Sequence, residues 1–172
     1  GVIAASACLG GVYAGNYWEN RENGAEAVLG AMRETTRRMM DIFGDRWYGE
    51  LQWNNIPEQH ELNQYIIKMH EEFGIKLIST ADSHYPNPDA WKDRELYKRL
   101  GWMRNNPSPI PDFKALKCEL YPKNADQMWA EFMLHRDKHE FYAGREQLIC
   151  DAIERTHDIA WEMCEDTWID QS

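Results

Sequence analysis

Three short apolar runs separated by two stretches of helical periodicity constrain this chain more than any other feature of its sequence. Val2 to Ser6 is the first run; Cys8 and the Gly10-Gly11 pair close it, so it reads as a buried strand meeting a loop. Val28, Met32, Thr35, Met39 and Ile42 then recur at helical spacing, which predicts a helix over Ala25 to Phe43, stopped by Gly44-Asp45. Trp47 to Trp53 reads as a second strand, with Tyr48, Glu50 and Gln52 on one face and Gly49, Leu51 and Trp53 on the other. Leu62, Tyr65, Ile66, Met69 and Phe73 form the apolar stripe of a second helix that starts near Pro57 and closes at Gly74. Lys76 to Ala81 is the third strand, and it leads into Asp82-Ser83-His84-Tyr85-Pro86. Strands joined through helices in this order point to parallel pairing, so the expected fold class is α/β.

The character changes at Asn105 to Pro111, where three prolines fall in a short polar stretch. A boundary is expected there, with one unit over 1–104 and a mainly helical one over 105–172. In the second unit, helices are expected over Ala125 to Leu134 and Gln147 to Met163, the latter through Leu148, Ala152, Thr156, Ile159 and Met163. There is no internal repeat and no low-complexity tract.

Charge narrows the range of partners. The chain carries 29 acidic against 19 basic residues, a formal net charge of −10. A phosphate-binding groove needs clustered Lys and Arg, so this segment is not expected to build one by itself. The surplus carboxylates serve either a solvated surface or metal binding. Eight Trp and eight Met imply large, irregular packing surfaces. The four cysteines, Cys8, Cys118, Cys150 and Cys164, form no CxxC pair and no small secreted framework, so a reduced, cytoplasmic setting is expected. No apolar run approaches the roughly 20 residues that cross a bilayer, so no membrane partner is expected. The start at Gly1, directly in a strand, is compatible with a processed or truncated product.

Asp82-Ser83-His84 is the best candidate for chemistry. Residues two apart on an extended segment point the same way, so a carboxylate and an imidazole would face one point, and both are ligands for Zn, Mn or Fe. They also follow a parallel strand, where α/β and barrel folds place their sites. A turn Asp beside a surface His is the competing reading. Cys8 sits in the same position after the first strand, either as a thiolate ligand near Asp82 and His84 or as a small buried residue at a strand end. His60 and His70 fall off the apolar stripe of their helix and read as solvent-facing. His135 and His139 have the i,i+4 spacing of a zinc pair but lack the Glu of HExxH, and in their charged surroundings they read as surface residues. His157 reads as an ordinary helical residue. No GxSxG elbow, GxxxxGK[ST] phosphate loop or GxGxxG is present.

Three stretches together resemble one family. Gly1-Val2-Ile3-Ala4-Ala5-Ser6-Ala7-Cys8-Leu9-Gly10 is similar to the GLIxLSxCLxG strand of the bacterial DNA polymerase III alpha subunit. Phe43-Gly44-Asp45-Arg46-Trp47-Tyr48-Gly49-Glu50-Leu51-Gln52, with Pro57-Glu58-Gln59 and Asn63 after it, resembles that family's FGDxxYLELQ…PEQ…N segment. Ile78-Ser79-Thr80-Ala81-Asp82-Ser83-His84-Tyr85, with Asp89-Ala90, resembles its VATNDxHY…DA segment. Glu119-Leu120-Tyr121-Pro122-Lys123 and Asp151-Ala152-Ile153-Glu154-Arg155-Thr156 are similar to segments that lead from its PHP domain toward the polymerase core.

The resemblance implies the later part of a PHP domain of a bacterial- or phage-type replicative polymerase, a partial distorted (β/α)7 barrel followed by a helical segment. In that family a cluster of His, Asp, Glu and Cys at the strand ends binds divalent metal, and Cys8, Asp82 and His84 match its later ligands. The metal would be Zn, Mn or Fe, in a site left incomplete here because the family's HxH motif and its other ligands belong to opening strands with no counterpart in this chain. Trp53-Asn54-Asn55 stands where relatives often carry His-Gly. The polymerase's catalytic carboxylates would lie beyond Ser172. The implied partners are DNA, reached through the parent polymerase, the rest of the PHP domain, and the polymerase core. The implied activity is removal of misincorporated 3′ nucleotides by metal-activated water. A structural PHP remnant that braces the polymerase, and a stand-alone PHP phosphatase, are the alternatives.

Overall fold

The computed structural model describes residues 1–105 and 120–164. Its centre is a three-stranded parallel sheet in the order β1 (Ala4–Ala5), β2 (Trp47–Gln52), β3 (Lys76–Thr80). Ala4 pairs with Trp47, and Tyr48 to Gln52 pair with Lys76 to Thr80. Both strand-to-strand returns run through helices: α1 (Val12–Asn20) and α2 (Ala25–Phe43) between β1 and β2, and α3 (Pro57–Phe73) between β2 and β3. The expected alternation, the α2 bounds and the parallel pairing all hold. The molecule is nonetheless mostly helical around a small sheet, and α1 adds a helix with no clear apolar stripe in the sequence.

Local chemistry sets the ends of α3. Pro57 occupies the first turn, where its missing N–H costs nothing. At the other end Gly74 adopts a left-handed conformation (φ 69°) and donates its N–H to the His70 carbonyl at 2.8 Å. α3 lies against the sheet so closely that no side chain fits at position 49. A Cβ there would stand 2.7 Å from Ile66 Cγ2 and 2.8 Å from Leu77 Cδ2.

After β3 the chain forms α4 (Trp91–Asn105), then α5 (Ala125–Arg136), a single 3-10 turn at Glu140–Tyr142, and α6 (Glu146–Asp158) continued by a π turn over Ile159–Met163. A reciprocal capping box fixes the start of α5: Asn124 accepts from the Gln127 N–H, and Gln127 accepts from the Asn124 N–H. α6 runs along the outer edge of β3, where Arg155 Nη1 donates to the Leu77 carbonyl at 2.6 Å. Phe132, Tyr142, Ile149, Ala152 and Ile153 join Leu51, Trp53, Ile66 and Leu77 in one hydrophobic cluster. The late helices therefore share a core with the sheet. The boundary expected at 105–111 falls mainly outside the described residues, as does Cys118.

Candidate metal-binding sites

Parallel pairing brings the ends of all three strands to one edge of the sheet, and the expected site residues sit there. Cys8 follows β1 and is half-buried; Asp82 and His84 follow β3 and are half-buried and exposed. β2 lies between, so β1 and β3 are two strand spacings apart, roughly 10 Å. Asp82 and His84 do come together: His84 Nδ1 is 2.6 Å from the Asp82 carbonyl oxygen and 3.9 Å from its Oδ2. The turn is anchored by the His84 N–H donating to the Leu120 carbonyl at 2.8 Å.

Backbone strain marks both loops. The described residues hold two non-glycine residues at positive φ, Ala7 (60°) beside Cys8, and Asp82 itself (48°). Each costs about 1–3 kcal/mol, and such outliers concentrate at ligand-holding positions. Between the two loops, β2 ends in side chains already committed to protein partners. Gln52 Nε2 donates to Glu50, Trp53 Nε1 to Ser79 Oγ at 2.7 Å, and Asn54 Nδ2 to Gln59 Oε1. The donor chemistry at this edge fits a cation through Asp82 and His84, with Cys8 set across β2. These three are not gathered within a single coordination sphere.

A second cluster is gathered more tightly. His60, His135 and His139 each offer a ligand atom, all within 4.8 Å of one another, and could hold a metal ion. This corrects the reading of all three as solvent-facing. His60 is 2% and His135 4% exposed, while His139 is half-buried. His60 is buried because its ring is enclosed by residues from outside its own helix: Nε2 meets the Asn54 carbonyl, Nδ1 meets the Tyr142 hydroxyl, and the ring packs against His135 and His139. His70 is also only half solvent-facing, since its Nδ1 meets the Ile75 carbonyl oxygen at 2.7 Å.

The protonation states follow from the partners. His60 Nε2 lies 2.8 Å from the Asn54 carbonyl, which can only accept, so Nε2 carries the proton. Nδ1 of the neutral ring then accepts from the Tyr142 hydroxyl at 2.8 Å, and that oxygen accepts from Asn63 Nδ2 at 2.9 Å. The neighbouring carbonyl, that of Trp53, acts on His135 in the opposite sense to burial and favours the protonated ring. Burial, reinforced by the other histidines and by Lys138, pulls the pKa of His60 and of His135 down to about 4. Burial and then Lys138 also lower that of His139. The i,i+4 pair was visible in the sequence; its third member was not, because His60 lies off the apolar stripe.

No family model matches this chain. Among curated proteins it is similar to the DNA polymerase III subunit alpha of Aquifex aeolicus, 43% identical over 133 residues that make up 77% of this chain and 11% of the relative. The corresponding protein of Deinococcus radiodurans is 35% identical over 130 residues (74% of this chain, 9% of the relative), and that of Thermus aquaticus 29% over 131 (76% and 10%). The chain thus spans about a tenth of the length of these relatives.

Proposed function

Because this chain belongs to the DNA polymerase III alpha-subunit family, of which it matches one segment, we propose that it is the later part of the PHP domain of a replicative DNA polymerase, with the first helices leading toward the polymerase core. DNA synthesis belongs to the parent protein. This segment's own share is at the sheet edge: Asp82 and His84 from the β3 loop and, across β2, Cys8 from the β1 loop would supply ligands to a divalent-metal cluster wider than one coordination sphere. A metal bound there would polarise a water for attack on a phosphodiester, as 3′-terminal nucleotide removal requires. The observation that carries this reading is the coincidence of strain and chemistry. The two positive-φ non-glycine residues lie in the two strand-end loops that hold the ligand-type side chains. The shared core of sheet and late helices supports a role next to the polymerase rather than as a free-standing phosphatase.

The test uses the parent polymerase with Cys8→Ala and His84→Ala, followed by metal content and by release of mismatched 3′ nucleotides. Both variants are expected to lose bound metal and exonuclease activity together while DNA extension persists. Unchanged metal content and exonuclease activity in both variants would remove these residues from the site. Lost metal in a parent without exonuclease activity would favour a bracing role.

A further inference from the structure

We propose that His60, His135 and His139 form a second divalent-cation site, of zinc type, that staples the start of α3 to the end of α5 and the turn after it. This inference is independent of the sheet-edge site and of the polymerase reading. Three features carry it.

The first is convergence from distant sequence. His60 lies in the first turn of α3, His135 in the last turn of α5, and His139 just before the Glu140–Tyr142 turn. Their ligand atoms nevertheless fall within 4.8 Å of one another. Around a tetrahedral zinc, nitrogens at about 2.1 Å from the metal stand roughly 3.4 Å apart, so closure needs side-chain rotation and no rearrangement of the fold.

The second is the way His60 is held from behind. Its Nε2 donates to the Asn54 backbone carbonyl at 2.8 Å. Metal-bound imidazoles are oriented in this way, with the outer N–H on a carbonyl. His60 and His135 are already neutral at neutral pH, so no proton has to leave them before a cation binds.

The third is the missing counter-charge. Among the described residues no carboxylate pairs with any of the three imidazoles, and the charged neighbour acting on them is Lys138. Packing alone gives little reason to collect three imidazoles in a largely buried space.

The present ring arrangement also says what must move. His60 and His139 stack at 4.2 Å with planes 22° apart, a geometry in which their in-plane lone pairs do not meet. His139, the least buried of the three, would turn edge-on. Tyr142 would release His60 Nδ1. A water reaching in beside His139 would complete four ligands.

The experiment titrates zinc into the chain in a Cys8→Ala/His84→Ala background that removes the sheet-edge ligands, and follows heat and unfolding temperature. Cobalt(II) serves as a spectroscopic substitute. Expected are one equivalent of zinc bound, a higher unfolding temperature, and visible cobalt bands without the near-ultraviolet thiolate absorption that a cysteine ligand produces. His139→Ala, at a half-buried turn position, should weaken binding roughly tenfold or more, and His135→Gln should do likewise. No stoichiometric binding in that background, or wild-type affinity in both histidine variants, would overturn the proposal. So would a cobalt spectrum of the unsubstituted chain showing only a thiolate-bearing site.

Discussion

Acid should loosen this molecule through two histidines, and the size of the effect follows from their burial. His60 and His135 titrate near 4 in the folded chain, and near their ordinary 6.5 once unfolded. Because the folded values are depressed, the unfolded state takes up protons first as pH falls. The stability from burying neutral rings is complete above about pH 6.5 and declines as pH drops through the window down to about 4. Between pH 7 and 5 a single ring shifted this far accounts for just under 2 kcal/mol, by linkage, before any discount. The two rings touch, at 4.4 Å between centroids, and solvent reaches the cluster at His139, so about 1 kcal/mol each is the better figure. Two rings give about 2 kcal/mol, worth a fall of about 4–8 °C in unfolding temperature for a domain of this size.

The assay is thermal unfolding by circular dichroism in EDTA, at several pH values between 7.5 and 4.5, on the chain and on His135→Gln. A glutamine amide keeps a polar side chain at this position but does not titrate. The variant should lose about half of the pH-dependent drop. A midpoint level from pH 7 to 5 would refute the argument, and so would an acid-induced fall of the same size in His135→Gln.

Three further outcomes are expected. Gly49→Ala places a methyl against Ile66 and Leu77 and should cost about 1–3 kcal/mol, read as a urea midpoint lower by on the order of 1 M; an unchanged midpoint would mean that α3 can lift off the sheet freely. Tyr142→Phe removes the hydroxyl that occupies His60 Nδ1 and should tighten zinc binding several-fold by calorimetry, since a hydrogen bond of about 1 kcal/mol no longer competes; weaker binding would mean that the phenol supports the site instead. Asn124→Ala deletes one half of the α5 capping box and should destabilise by about 1 kcal/mol, checked by the same urea titration.

What the sequence made legible was whatever depends on local periodicity. The bounds of α2 and the end of α3 at Gly74 were readable because apolar spacing and glycine stops are written within one turn of the residues that they govern. The parallel pairing was readable because strands alternated with helices. The histidine cluster was not, for a physical reason. Gln59, His60 and Asn63 are polar, so their place off the apolar stripe turns them outward, yet each is buried because hydrogen-bond partners satisfy it, most of them outside its own helix. Asn63 donates to the Gln52 carbonyl at the end of β2, Gln59 donates to Asn63, and His60 is held between Asn54 and Tyr142. Burial of polar residues depends on tertiary partners, and no single-helix pattern encodes those. The positive φ at Ala7 and Asp82 was equally hidden, since neither residue is a glycine.

The three strand ends divide labour in a way that ties the two candidate sites together. On β1 and β3 the strand-end loops leave Cys8, Asp82 and His84 half-buried or exposed. On β2 the corresponding positions turn to the protein: the side chains of Gln52, Trp53 and Asn54 bind their neighbours, and the carbonyl of Asn54 holds His60. Trp53 adds ring contacts to Phe132 at 5.1 Å and to Tyr142 at 5.4 Å. The central strand thus joins the sheet to the late helices, and Cys8, Asp82 and His84 follow its two neighbours. The ligand-type groups of the proposed sheet-edge site therefore sit on two separated loops, whereas the histidine cluster gathers its three imidazoles in one place.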